Sequence, residues 1–135
     1  MDHECVLIVG KLGMLRFPEG YYAYAGSAFG PGGLRSRILH HLRTSPRPHW
    51  HIDYLRAHAS IAQIWMSLNA PGSEHRWAGQ LMNLPGASVL HRSFGSTDCS
   101  CVSHLVHTPR NPSLADFSRL VREQHPEDTD IFCLV

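Results

Sequence analysis

The apolar positions come in short blocks, and the period inside each block sets the element it predicts. Cys5–Val9 is an unbroken apolar run, short for a helix and long enough for a strand. Gly10, Gly13 and the turn signal Pro18-Glu19-Gly20 follow. Tyr21–Ala25 then reads as an aromatic strand, so the two runs are expected to form a hairpin. Gly30-Pro31-Gly32-Gly33 punctuates the chain before a helix from about Gly33 to Arg43, with Leu34, Ile38 and Leu42 on one stripe. Ser45-Pro46-Arg47-Pro48 stops it. Trp50/Tyr54 and Ile52/Leu55 have helical spacing, which predicts a short helix over His49–Ala59; Ile61–Leu68 reads as a third strand.

Pro71-Gly72-Ser73 sets up a helix from Glu74 to Leu84, with Ser73 as its N-cap and Trp77, Ala78 and Leu81 facing in. Residues 85–112 are irregular apart from one strand around His104–His107. Ser113 and Asp116 resemble a capping box opening a last helix at about 113–124, whose apolar face is Leu114, Phe117, Leu120 and Val121. Pro126 bounds it. The order strand, strand, helix, helix, strand, helix, strand, helix describes a compact α/β domain with a small sheet.

Length and composition narrow the class. At 135 residues the chain has the size of a single domain, and 43% hydrophobic against 17% charged residues is a core-forming balance. No apolar run approaches the roughly 20 residues that span a bilayer. Asp2 and Glu4 stand where a signal peptide would be basic, so a cytoplasmic protein is expected. The cysteines Cys5, Cys99, Cys101 and Cys133 then read as reduced thiols, with Cys5 and Cys133 as small buried residues in apolar runs.

The net charge of +1 hides an asymmetry. Residues 31–60 hold Arg35, Arg37, Arg43, Arg47 and Arg56 against Asp53 alone, together with His40, His41, His49, His51 and His58. The last 25 residues are acidic, with Asp116, Glu123, Glu127, Asp128 and Asp130 against Arg119 and Arg122. Arginine makes bidentate bonds to phosphate and stays charged, so the basic third is either a solvated face or a polyanion site.

One stretch joins that charge to reactive groups. A strand ending in Tyr24-Ala25-Gly26 delivers a phenol to a sheet edge, where glycine permits close approach. The following helix sets Arg37 and His41 one turn apart on one face. Tyr24, Arg37 and His41 converging on one spot could activate a water, neutralise a phosphate and relay a proton. The plainer reading is an amphipathic hairpin–helix unit with ordinary surface charges.

Tyr24-Ala25-Gly26 followed by Arg37-x-x-x-His41 resembles the second half of the signature of the GIY-YIG nuclease superfamily. The string from Tyr22 through Ser27 to Leu34 is similar to the Uri-type branch of that superfamily. So are His49-Trp50-His51-Ile52-Asp53-Tyr54-Leu55 and the segment Phe94-Gly95-Ser96-Thr97-Asp98-Cys99-Ser100-Cys101 with Ser103-His104-Leu105. The resemblance covers about 6–105 of the single domain 1–135. It implies a central three-stranded mixed or antiparallel sheet flanked by helices, and a DNA endonuclease dependent on one Mg²⁺ or Mn²⁺ ion. Tyr24 would match the tyrosine that helps activate water, Arg37 the arginine on the scissile phosphate, His41 the histidine beside it, and Glu74 the metal-binding carboxylate. An acid in the first turn of a helix is also favoured by the helix dipole alone.

The opening strand Cys5-Val6-Leu7-Ile8-Val9 lacks the tyrosine that the first signature motif places there. Tyr22 shares the face of Tyr24 by the strand period and is expected to supply the second phenol. Arg35, Arg43, Arg47, His49 and His51 are the expected nucleic-acid contacts. Asp53, four residues after His49, is placed to orient that histidine. Asp98, Cys99, Cys101 and His104 fall close together, but Cys-x-Cys-x-x-His departs from the paired knuckles of structural zinc sites. The segment therefore reads as a hydrogen-bonded turn supporting the wall of the site. The alternatives are a catalytically idle nucleic-acid-binding module and a small zinc-stabilised protein-interaction domain. With no separate recognition domain, specificity would come from this domain, a homo-oligomer or a protein partner.

Overall fold

The structure is a computed structural model that describes residues 1–68, 72–128 and 130–134. The chain opens with β1 (Cys5–Ile8), which pairs antiparallel with β2 (Met14–Phe17), Cys5 opposite Phe17 and Ile8 opposite Met14. A tight turn joins them: Val9 N–H donates to the Gly13 carbonyl at 2.9 Å, and Gly13 takes φ 79°, a conformation that suits glycine. The hairpin expected between Cys5–Val9 and Tyr21–Ala25 is thus corrected. The four residues Met14–Phe17 supply the second strand, and Pro18, which has no N–H to continue a ladder, ends it.

β3 (Tyr21–Tyr24) pairs instead with β5 (Leu105–Thr108), antiparallel, Tyr21 opposite Thr108 and Tyr24 opposite Leu105. Two more short strands, β4 (Trp65–Met66) and β6 (Phe132–Cys133), pair antiparallel. The ladders among the described residues are therefore two-stranded, three in number. The helices are α1 (Gly33–Leu42), α2 (His51–Arg56), α3 (Ser73–Leu81) and α4 (Leu114–Gln124). This is a small α/β domain, and no helix of the described residues is long and apolar enough to cross a membrane.

The strand period explains the layering. On β5, Leu105 enters a core with Val9, Phe17, Ile52, Leu55 and Phe94, while its neighbour Val106 enters a second core with Ala25, Ala78, Leu81, Phe117 and Val121. On β3, Tyr22 and Tyr24 pack against the first core and Ala23 against the second. The β3–β5 pair thus stands between the β1–β2 hairpin with α2 on one side and α3 with α4 on the other. Ser113 caps α4 as its hydroxyl accepts from the Asp116 N–H at 3.3 Å. Phe117 is fully buried between Trp65, stacked on it at 5.2 Å, and Trp77, edge-on at 5.3 Å.

Several expectations are revised. The N-cap of α3 is Gly72, at φ 96°, and Ser73 is its first helical residue; Pro71 lies outside the described residues. The helix expected over His49–Ala59 is shorter, because Asp53 turns back onto the N–H groups of His49 and Trp50 and ends it at the front. Cys5 is half-buried and Cys133 exposed, the latter on a two-residue strand whose residues are both exposed. The helix α1 buries no residue, and Leu42 of its expected stripe is exposed.

Candidate functional site

Tyr24 ends β3 with its ring edge-on to His41, centroids 6.1 Å apart, and to Phe94, 6.5 Å apart. Arg37 and His41 meet along α1, where the Arg37 Nε–H donates to His41 Nε2 at 3.0 Å. A ring nitrogen that accepts carries no proton, so neutral His41 holds its proton on Nδ1. Burial and the neighbouring Arg37 and His40 push the His41 pKa down to about 4, so the ring is neutral at pH 7. Burial raises the Tyr24 phenol above its ordinary value, although Arg37 opposes the rise by charge and hydrogen bonding. Tyr24 is accordingly a neutral phenol at that pH.

Two glycines admit this ring. A Cβ on Gly26 would stand 3.2 Å from Tyr24 Cε1 and 3.1 Å from Arg37 Nη2. A Cβ on Gly95, whose φ is +71°, would stand 2.9 Å from Tyr24 Cε2 and 3.4 Å from its Oη. The edge of the phenol is thus bounded by backbone on both sides, a role for Gly95 that its neighbours in sequence do not reveal.

No residue of α1 is fully buried, and side chains of α2 and of Trp50 just ahead of it tie the helix down. The Arg37 guanidinium carbon lies 3.7 Å from the centroid of the Trp50 ring, a cation–π contact. Arg56 Nε donates to the His41 carbonyl at 2.8 Å. Asp53, buried, takes His40 Nε2 at 2.8 Å on one oxygen and the His49 and Trp50 N–H groups at 2.8 and 2.9 Å on the other. Burial alone would raise its pKa, but the Trp50 and His49 N–H groups and His40 outweigh it and hold the carboxyl below its ordinary value. The histidine ring that Asp53 orients is therefore His40, from α1, rather than His49, whose ring stacks edge-on to Trp50 at 5.0 Å. His51 accepts the Gly95 N–H on Nδ1 at 2.8 Å, which fixes the loop against Tyr24.

Glu74 lies in the first turn of α3 and lines a cavity of about 280 Å³ with Gly26, Ser27, Leu34, Trp65 and Trp77. Its Oε1 is 3.2 Å from His75 Nε2, while Oε2 is buried without a hydrogen-bond partner. Trp77 Nε1, assigned to the core by its helical spacing, is also buried and unpartnered. Both residues line this cavity, where an orphaned carboxylate oxygen fits a cation and an orphaned N–H an anionic oxygen. Gly26 joins this cavity to Tyr24 and Arg37.

Arg35 and Arg43 line a separate cleft of about 510 Å³ with Ser36, His40 and Ser45, on the exposed side of α1. Arg47 is exposed in the loop beyond. Tyr22 shares the face of Tyr24 but not its partners: its hydroxyl donates to the Pro18 carbonyl at 2.6 Å, and its ring meets Phe17 and His107. Asp98 is exposed, close enough to Tyr24 and His104 to act on both by charge. Cys99, Cys101 and His104 do lie together, and a residue from another element, His75, joins them.

A small α/β domain with a tyrosine, arginine and histidine gathered at one strand end, joined by Gly26 to a cavity lined by a half-buried carboxylate, is the class that these observations define. The chain belongs to the family described as "Domain of unknown function DUF123", which it matches over residues 1–125. No curated protein and no solved structure matches it.

Proposed function

We infer that the protein is a nuclease of the GIY-YIG type, hydrolysing DNA phosphodiester bonds with one Mg²⁺ or Mn²⁺. The observation that carries this reading is the convergence of Tyr24, Arg37 and His41 between two closely packed glycines, one of which lines the cavity that holds an unpartnered buried Glu74 oxygen. Glu74 would hold the ion, which would polarise the phosphate and stabilise the leaving oxygen. Arg37 offers its remaining N–H groups to the phosphate. His41, neutral, has only Nδ1–H to offer, which makes it a donor toward the reacting phosphate. Tyr24 orients the attacking water as a neutral phenol, and the proton that the water loses would pass to a non-bridging phosphate oxygen or to solvent. Arg35, Arg43, Arg47 and His49 would carry the flanking backbone. On the same reading the bent segment from β2 to β3 is the middle strand of a three-stranded family sheet, with β1 on one end and β5 on the other. The exchange of both backbone hydrogen bonds between Met1 and Gly20 at the bend supports it.

The test is a panel of labelled single-stranded, duplex and branched DNA substrates incubated with Mg²⁺ and with Mn²⁺. Cleavage of at least one substrate is expected, together with its loss in Glu74→Gln and retention of DNA binding in that variant. Full cleavage by Glu74→Gln would remove the carboxylate from the mechanism. The second reading, an idle nucleic-acid-binding module, is favoured by the absence of a tyrosine on β1 and by the engagement of the Tyr22 hydroxyl with Pro18. Binding without cleavage across the whole panel would select it.

A further inference from the structure

The loop ahead of β5 folds back onto the start of α3 and brings four soft or borderline donors together. The ligand atoms of His75, Cys99, Cys101 and His104 all lie within 4.8 Å of one another. Cys99 Sγ is 3.5 Å from His104 Nε2, and Cys101 Sγ is 3.4 Å from His75 Nδ1. A tetrahedral zinc about 2.3 Å from each sulfur and about 2.0–2.1 Å from each nitrogen sets its S···N edges at about 3.6 Å. Both distances match.

The outer partners of the two histidines point the same way. His104 Nδ1 faces the Ala25 carbonyl at 3.1 Å, where it can only donate, which leaves Nε2 with its lone pair toward the sulfurs. His75 Nε2 faces Glu74 Oε1 at 3.2 Å, which leaves Nδ1 toward them. A metal-bound imidazole characteristically donates its other N–H to a carbonyl or a carboxylate, and here one ring does each. Two thiolates and two neutral rings would balance a dication within a tetrahedral S₂N₂ set, which favours zinc. The other grouping of this kind among the described residues, His40, His41 and Asp53, offers one donor fewer. Its atoms are also already taken, Asp53 by three hydrogen bonds and His41 Nε2 by the Arg37 guanidinium.

We propose that His75, Cys99, Cys101 and His104 form a structural zinc site. All four positions are filled by protein, so the ion has no open place for substrate. It fastens the first turn of α3 to the loop 95–104 and thereby holds Gly95 and His104 against Tyr24 and Ala25. Through His75 it also fixes Glu74 Oε1, leaving Oε2 directed elsewhere. The site does not depend on the nuclease reading, because its occupancy is measured without cleavage.

Full-length protein produced in zinc-replete medium and purified without chelator is expected to carry about one zinc per chain by elemental analysis. Cobalt-loaded wild type should show thiolate-to-cobalt charge-transfer absorption, which needs no variant to fold. Cys101→Ser and His75→Gln should each lose most of the zinc, while Cys5→Ser keeps it. Stripping the metal should lower the melting temperature by roughly 10 °C, reversed by added zinc. Glu74→Gln should keep the zinc, so lost cleavage with zinc retained separates a failure of the catalytic carboxylate from a failure of this site. Metal-free protein whose melting is indifferent to zinc, or zinc that survives in both Cys101→Ser and His75→Gln, overturns the proposal.

Discussion

Arg37 donates to His41 along one turn of α1, Nε to Nε2 at 3.0 Å, and this bond places the proton of the neutral His41 ring on Nδ1. Burial disfavours the charged imidazole, and the guanidinium beside it adds to that, so His41 stays neutral down to a pH of about 4. Its ordinary value is about 6.5. Between those two values the unfolded chain binds a proton that the fold refuses. The contribution to stability is therefore fully present above about 6.5, is lost as pH falls, and levels off below about 4. His41→Gln, which retains an acceptor for Arg37 but cannot titrate, is expected to flatten the stability curve in that window by on the order of 1–3 kcal/mol. Denaturant unfolding of both proteins at pH 7, 5.5 and 4.5 measures it; parallel curves would contradict the assignment.

The two tyrosines of β3 separate by their partners. Tyr22→Phe removes a hydroxyl bonded only to Pro18, so it should cost about 1 kcal/mol of stability and leave cleavage unchanged. Tyr24→Phe should leave stability nearly intact and lower the cleavage rate by roughly 10²-fold. Single-turnover rates and melting curves for both variants check the pair. Equal effects on rate would return Tyr22 to the mechanism.

Gly95→Ala places a methyl 2.9 Å from the Tyr24 ring at a backbone conformation that L side chains rarely adopt. It is expected to destabilise the fold by about 1–3 kcal/mol and to lower cleavage as Tyr24 is displaced. Gly30→Ala, with nothing within 4 Å of the added carbon, serves as the control and should do neither. Thermal unfolding together with the cleavage assay distinguishes the two.

The cleft formed by Arg35 and Arg43 predicts how affinity responds to salt. Reversing both to glutamate should weaken DNA binding for every sequence alike and make the slope of log affinity against log salt shallower by roughly 2. Reversing Asp116 or Glu123, which pair with Arg119 on α4, should matter less. Fluorescence anisotropy over a salt series gives both quantities, and a larger effect from α4 would move the binding face.

Local pattern carried much of this fold because helices are local objects. The start of α1, the Ser113 cap and the Phe117/Val121 face of α4 follow from spacing within a few residues. The strands were legible only in part. Met14–Phe17 is four residues between two turn signals, and Phe132–Cys133 is two, too few for a period to declare itself. That β3 chooses β5, more than eighty positions away, is a tertiary choice fixed by Tyr22, Ala23, Leu105 and Val106 dividing between two cores. The site shows the same boundary. Arg37 and His41 at one-turn spacing could be read directly, whereas His40 as the partner of Asp53 and His75 as the fourth member of the cysteine cluster come from other elements.

The helix that carries Arg37 and His41 buries none of its residues and is fastened by a stacked guanidinium, a histidine–carboxylate pair and one arginine-to-carbonyl bond. Its detachment would break these polar links and uncover half-buried rather than fully buried side chains, which places it toward the low end of the free energies at which parts of a native protein open. Amide hydrogens of α1 are expected to exchange sooner than those of α3 and α4, which carry buried residues. A bulky polyanion could be admitted by swinging this one helix while both cores stay closed. The arginine contacts it then makes with phosphate would replace the ones it gave up to Trp50.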